Sequence, residues 1–109
     1  MSVSDRHIKE NGIMKEHEIE EKLRKAVRQK GGLCWKFISP GNAGVPDRIV
    51  LMQKGKAAFV EVKAPGETMR LLQGKRKRQL ELLGFKVFCL DSARDIPKVI
   101  AEIEGSDDK

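Results

Sequence analysis

The sequence is poor in the side chains that stack on bases. Its 109 residues include no tyrosine and one tryptophan, Trp35. The four phenylalanines lie in apolar segments, and we expect them in the core. Base stacking of the kind used by single-strand-binding proteins is therefore poorly supported. The expected core phenylalanines are Phe37, Phe59, Phe85 and Phe88.

Sulfur and imidazole ligands are equally scarce. The two cysteines, Cys34 and Cys89, each lie in an apolar, strand-like segment. The two histidines, His7 and His17, do not complete a zinc-ligand spacing with them, so no zinc site is indicated. We expect both cysteines to be buried free thiols, as is usual in a reducing cytosol.

Long apolar segments are absent as well. No run of eighteen apolar residues occurs, so the sequence predicts no transmembrane helix. Residues 1–11 are polar and lack the apolar segment of a secretory signal. A length of 109 residues is typical of one domain. We expect a flexible arm over residues 1–12, one domain over residues 13–104 and a disordered tail over residues 105–109.

The apolar and turn-forming residues that are present predict an α/β fold. An apolar stripe at helical spacing predicts a first helix, which Gly31 and Gly32 end. Two apolar segments around a turn at Lys54 and Gly55 predict a β-hairpin. A helix between two strands implies a right-handed crossover and parallel strands, so the sheet is mixed. The predicted order is α-β-β-β-α-β-α: helix 13–30, strand 33–38, hairpin 47–63, helix 68–83, strand 85–90 and helix 93–104.

The hairpin also predicts a cluster of charges at one end of the sheet. Folding about the turn places Asp47 beside Glu61 and Val62. Glu61 and Lys63 are two residues apart, so they project from the same face of the strand. Like charges that meet at the end of an apolar sheet are unfavourable unless a cation offsets them. A bound metal ion is the simplest such cation, and the alternative is an ordinary ion pair at an exposed strand end.

Further oxygen and amide groups are predicted near this end of the sheet. Glu16 and Glu20 lie four apart on one side of the first helix, where most glutamates are expected to be solvated. The carbonyl of Val62 adds another oxygen. Hard oxygen ligands are those that Mg²⁺ and Mn²⁺ prefer. Gln73, near the start of the second helix, is expected to reach the same site.

The net charge of +6 is consistent with a polyanionic partner such as nucleic acid. Four consecutive basic residues of the second helix are candidates for contacts to the phosphate backbone. On a helix they point in different directions, so only some of them can face one partner, and a solvated helix face is the alternative. Gly74 either weakens this helix or marks a close approach to another group. The basic residues are Lys75, Arg76, Lys77 and Arg78.

The ordered set of motifs resembles the PD-(D/E)XK nuclease signature, in the form found in the VRR-NUC (virus-type replication-repair nuclease) family. The segment Gly44-Val45-Pro46-Asp47 is followed, after a hairpin, by Glu61-Val62-Lys63, by Ala64-Pro65-Gly66 and by Gln73. The first helix and the Trp35-containing strand fit as well. The resemblance extends from about Lys15 to Ile103.

This resemblance implies a restriction-endonuclease-like core and metal-dependent hydrolysis of phosphodiester bonds. Asp47, Glu61 and the Val62 carbonyl would hold Mg²⁺ or Mn²⁺, and Lys63 would assist the attacking water. Gln73 matches the glutamine that follows the family motif. Both Glu16 and Glu20 match the helix glutamate, and Glu16 is slightly preferred.

The resemblance further implies a phage- or bacterium-encoded homodimer that acts in the host cytoplasm. We expect a structure-selective DNA endonuclease for branched DNA, such as four-way (Holliday) junctions in DNA repair. One alternative is a DNA-binding module without catalysis, which uses the basic helix. Another is a protein-interaction domain whose basic helix meets an acidic partner.

Overall fold

The computed structural model describes residues 14–105. Within this range no helix is both long and apolar enough to cross a bilayer. The predicted arm over residues 1–12, the predicted helix start at Ile13 and the tail after residue 105 lie outside the described residues. The elements are α1 (Glu16–Gln29), β1 (Leu33–Lys36), β2 (Arg48–Met52), β3 (Lys56–Val62), α2 (Leu71–Leu82), β4 (Lys86–Leu90) and α3 (Ile96–Glu104).

The strands form one mixed sheet in the order β1-β2-β3-β4. The first two pairings are antiparallel, and β3 pairs with β4 in parallel, which confirms the predicted hairpin and crossover. A short 3₁₀ turn over Gln53–Gly55 joins the hairpin strands. Lys54 and Gly55 both have positive φ there, 67° and 73°, a conformation that glycine adopts without steric cost.

One face of the sheet carries the hydrophobic core. The predicted stripe of α1 is confirmed, because Ile19, Leu23 and Val27 are fully buried. They pack with α3 and with the alternate residues of the strands that point to this face. The core side chains of the strands and α3 include Val50, Ala58, Val60, Val62, Leu90, Ile96, Val99, Ile100 and Ile103.

Helix α2 lies over the opposite face. Phe59, which alternates with the buried Ala58 and Val60, lines a groove there together with Leu80 of α2 and Leu83, the residue that follows the helix. No residue of α2 is itself buried, so this helix covers the sheet only in part.

Partial cover by α2 explains two wrong predictions. Cys89 is exposed, because it alternates with the core-facing Leu90 and points to the α2 face. Phe85 is 49% exposed and packs on Phe59 at a centroid distance of 5.9 Å. Cys34 is buried as predicted.

Some predicted boundaries are also wrong. Helix α2 begins at Leu71, with Arg70 rather than Thr68 as its N-cap. The reason is Gln73, whose side-chain oxygen accepts the Arg70 N–H at 2.8 Å and so fixes the first turn. Strand β1 ends at Lys36, leaving Ile38 75% exposed. Beyond the adjacent backbone of its own helix, a Cβ built on Gly74 would meet no atom of the described chain within 4 Å, so no other described element approaches α2 closely there.

Candidate functional site

The hairpin register brings the two acidic segments together. Arg48 pairs with Val60, so Asp47, just before β2, lies level with the end of β3. The backbone N–H of Val62 donates to Asp47 Oδ1 at 3.2 Å. Asp47 is thereby fixed at the end of the sheet where Glu61 and Lys63 also lie.

Glu61 and Lys63 form a buried pair on the α2 face. They are 5% and 8% exposed, and Lys63 Nζ lies 3.6 Å from Glu61 Oε2. Charged side chains are almost never buried to this extent unless they are paired. Glu61 Oε1 has no hydrogen-bond partner within the described part of the chain. The carboxylate therefore retains one oxygen for a further ligand.

Gln73 connects α2 to this pair. Its side-chain Nε2 donates to Glu61 Oε2 at 2.9 Å, while its oxygen accepts the Arg70 N–H. Both ends of the amide are therefore occupied, which fixes the orientation of Glu61. The sequence prediction that Gln73 reaches the site agrees with this contact.

Helix α1 contributes both candidate glutamates. One carboxylate oxygen from each of Glu16, Glu20 and Asp47 lies within 4.8 Å of the others; these three residues are called the carboxylate group below. Glu16 and Glu20 are one helical turn apart, so both reach Asp47. The geometry therefore includes both helix residues and selects neither.

The donor set fits a hard divalent cation. Three carboxylates within this distance supply oxygen ligands of the type that Mg²⁺ and Mn²⁺ prefer. Glu61 is not one of the three. It directly precedes Val62, whose N–H donates to Asp47, and its buried Oε1 has no hydrogen-bond partner among the described residues. The roles of these residues as ligands or catalysts stay predictions.

Electrostatics at the site disfavour the ionised acids. Burial raises the pKa of Asp47; the hydrogen bond from Val62 opposes this, and the charges of Glu20 and Glu16 add to it. Burial also raises the pKa of Glu61, followed by the charge of Asp47, whereas Lys63 lowers it. A cation bound among these carboxylates would relieve the unfavourable burial of charge.

One charged neighbour of the site was missed in the sequence. Arg48 Nε lies 3.5 Å from Glu20 Oε2, and the two side chains are 11% and 14% exposed. The signal was present, because Arg48 is two residues before Val50 and so points to the core face of β2. A charge at such a position requires a partner.

The four basic residues of α2 divide into two pairs. Arg76 donates from Nε to the Ala43 carbonyl at 2.9 Å, and Lys77 Nζ lies 2.7 Å from Glu81. Lys75 and Arg78 are exposed. As predicted, the four do not share one face, and Arg76 instead holds the loop before Asp47.

Gly44 allows the same loop to approach α2. Its φ is 87°, and a Cβ built on it would lie 2.7 Å from the side chain of Leu72. Only glycine fits this conformation and this gap without strain. The close contact places the segment that carries Asp47 against the helix that carries Gln73.

Comparisons with known proteins give two similarities. A protein of Acyrthosiphon pisum secondary endosymbiont phage 1, named "Putative nuclease p44", is 42% identical over 91 residues. The match covers 84% of this chain and 97% of that protein. A solved structure described as "VRR_NUC domain" matches with a TM-score of 0.74 and 28% identity, over 78% of this chain and 92% of its own. No protein-family model matches the chain.

Proposed function

Because this chain belongs to the VRR-NUC family of nucleases, we propose that it is a metal-dependent, structure-selective DNA endonuclease. The observation that supports the chemistry most is the convergence of acids and a lysine at one sheet end. There the carboxylate group of Glu16, Glu20 and Asp47 adjoins the buried pair of Glu61 and Lys63. We further propose branched DNA, such as four-way junctions, as the substrate.

The cofactor in this proposal is Mg²⁺ or Mn²⁺. Asp47, Glu61 and the Val62 carbonyl would hold it, together with Glu16 or Glu20 from α1. When bound, such an ion supplies Lewis-acid stabilisation of the negative charge that develops on the phosphate. The close oxygens of the carboxylate group and the unpartnered oxygen of Glu61 support this assignment.

Lys63 and Gln73 have separate parts in the proposed mechanism. Lys63 is buried, and its ammonium can donate a hydrogen bond to the attacking water or to a phosphate oxygen. Its contact with Glu61 at 3.6 Å keeps Nζ at the acidic end of the sheet. Gln73 would orient Glu61 by donating to Oε2, which leaves Oε1 without a hydrogen-bond partner among the described residues and so available to a metal ion.

Cleavage of a labelled four-way junction in the presence of Mg²⁺ or Mn²⁺ tests the activity. Asp47→Asn and Lys63→Gln should each lower the rate by about 10²-fold or more, as expected for loss of a group that stabilises developing charge. Lys22→Gln, an exposed position of α1, is the matched control and should retain full activity. Full activity of both site variants would contradict the proposed mechanism. Equal cleavage rates on linear duplex and on the junction would contradict only the proposed selectivity for branched DNA.

A DNA-binding module without catalysis is the second candidate. The exposed Lys75 and Arg78 and the net charge of +6 favour it. Calorimetric titration with Mn²⁺ separates the two functions. The nuclease should bind Mn²⁺ and lose affinity in Glu61→Ala, whereas a pure DNA-binding module should have no Mn²⁺ affinity to lose.

We also propose that the protein is a homodimer that acts in the host cytoplasm on DNA. A two-fold dimer presents two sites to the two strands of a symmetric junction. The similarity to a phage protein supports a phage or bacterial setting. Apolar side chains exposed on the α2 face of the sheet support self-association.

A further inference from the structure

Arg48 is the one cation in contact with the carboxylate group from the core side of the described sheet. Strand alternation directs its side chain to the same face as Val50 and Met52, against α1. A guanidinium in this position is costly unless a charged partner compensates it. That partner is Glu20, whose Oε2 lies 3.5 Å from Arg48 Nε.

Glu20 lies between Arg48 on one side and two other acids on the other, so its position depends on the Arg48–Glu20 ion pair. Glu20 lies within 4.8 Å of Glu16 and Asp47, which repel it. Arg48 offsets this repulsion from the opposite side. Its Nε has no hydrogen-bond partner within the described residues, so charge attraction to Glu20 is the interaction that this N–H makes.

We propose that Arg48 is a positioning residue that holds Glu20 in the carboxylate group before the metal ion enters; this rests on the function proposed above. The ion then meets carboxylates that are already assembled, which lowers the reorganisation needed for binding. Groups that orient metal ligands in this way typically contribute 10–100-fold to metal affinity, an order-of-magnitude range.

Mn²⁺ affinity measured by calorimetry on chelator-treated protein tests the proposal without any activity assay. Arg48→Gln should weaken Mn²⁺ binding by about 10-fold. In a Glu20→Gln background, Arg48→Gln should cause no further loss, because its partner charge is already gone. Arg24→Gln is the matched control: Arg24 pairs with Glu21 at 2.9 Å, outside the carboxylate group, and its loss should leave Mn²⁺ affinity unchanged.

A purely structural role for Arg48 predicts a different pattern. It also lies near the buried Cys34, and although burial raises the pKa of that thiol, Arg48 opposes the increase. If packing were its only role, Arg48→Gln would lower Tm and leave Mn²⁺ affinity unchanged, or would weaken it equally with and without Glu20. Either result overturns the proposal.

A conservative variant keeps the test decisive if Arg48→Gln does not fold. Arg48→Lys retains the charge but has a shorter reach and no planar fork, so about a threefold loss of Mn²⁺ affinity is expected, again absent in the Glu20→Gln background. A loss of Mn²⁺ affinity in Arg48→Lys that is equally large in the Glu20→Gln background overturns the proposal. Failure of the wild-type protein to bind Mn²⁺ would instead refute the metal dependence on which it rests.

Discussion

Asp47 and Glu61 are acids placed where ionisation is unfavourable in the metal-free protein. Burial is the main cause of the raised pKa in both; the charges of Glu20 and Glu16 add to it at Asp47, and the charge of Asp47 adds to it at Glu61. Such groups are unfavourable for folding at neutral pH and favourable for binding a cation. Stability and function therefore oppose each other at these two residues.

The pH dependence of stability follows from the sign of these shifts. Both pKa values are raised in the folded state, from usual values of 3.8 for Asp47 and 4.5 for Glu61. The protonated carboxyl thus favours folding below the usual value, and this stabilisation is lost as pH rises through the raised value. Asp47→Asn removes the charge and keeps an oxygen for the Val62 N–H. We expect its metal-free Tm at pH 7 to exceed that of wild type by a few degrees.

Thermal unfolding in the presence of a chelator measures this difference from pH 7 downward. The difference should shrink as pH falls and vanish below about pH 4, where the wild-type acid is protonated in both states. Glu67→Gln, in an exposed loop, should show no such pH-dependent gain. A lower Tm of Asp47→Asn at pH 7 would mean that the hydrogen bond from Val62 outweighs the burial of charge.

Most of the spatial arrangement of the candidate site was predictable at the residue level, because the apolar pattern and the turn determine the register of the hairpin. Two apolar segments around Gly55 determine that Asp47 meets Val62 and that Glu61 and Lys63 share a face. The sequence leaves the choice between Glu16 and Glu20 open, and the structure does so too, since residues one turn apart project from the same side of α1 and both reach Asp47. Arg48 was missed because it was taken as part of an apolar strand.

At the level of elements, α2 joins the site to the solvent-exposed basic surface. Gln73 contacts Glu61, and Arg76 holds the loop at Ala43, so both side chains are engaged within the protein. Lys75 and Arg78 are exposed on the same helix. Of the four basic residues predicted to bind DNA, these two are therefore the best candidates for phosphate contacts.

The double variant Lys75→Gln/Arg78→Gln should weaken DNA binding at every sequence tested. The slope of log K against log salt is negative, and each lost phosphate contact reduces its magnitude by about 1. The magnitude should therefore decrease by about 2 in the double variant. Fluorescence anisotropy over a series of salt concentrations, with a non-cleaving Asp47→Asn protein, measures this slope.

Lys77→Gln/Glu81→Gln is the matched control, because it removes both members of the Lys77–Glu81 ion pair, whose charged atoms lie 2.7 Å apart. Net charge is then unchanged, and the salt slope should remain close to the wild-type value. An unchanged slope in Lys75→Gln/Arg78→Gln would show that these two residues do not contact the DNA backbone.

The start of α2 shows why this helix boundary was harder to predict than the pairing of the hairpin strands. Thr68 has the side chain of an N-cap, yet Arg70 occupies that position. The deciding contact is tertiary, because Gln73 bonds both the Arg70 N–H and Glu61. Local propensity carries no information about a partner twelve residues away. The pairing of β2 with β3, by contrast, follows directly from alternation and the turn.

At the level of the whole molecule, an apolar band crosses the face of the sheet that α2 only partly covers. Its residues follow in register across all four strands: Trp35 opposite Ile49, Ile49 opposite Phe59 and Phe59 opposite Val87. Trp35, at the β1 end, is 55% exposed. Soluble monomers rarely expose large contiguous apolar patches, and such patches mark interaction sites.

Trp35→Glu should therefore convert the proposed homodimer into a monomer. The side chain is already half exposed, so the change should cost the protomer little stability while placing a charge in an apolar interface. Sedimentation velocity should give a wild-type mass of twice the 12.3 kDa chain and a variant mass close to one chain. Leu71→Glu, at a position that is 91% exposed at the start of α2, should remain dimeric. A wild-type protein that sediments as a monomer would refute the dimer, and a dimeric Trp35→Glu would place the interface elsewhere.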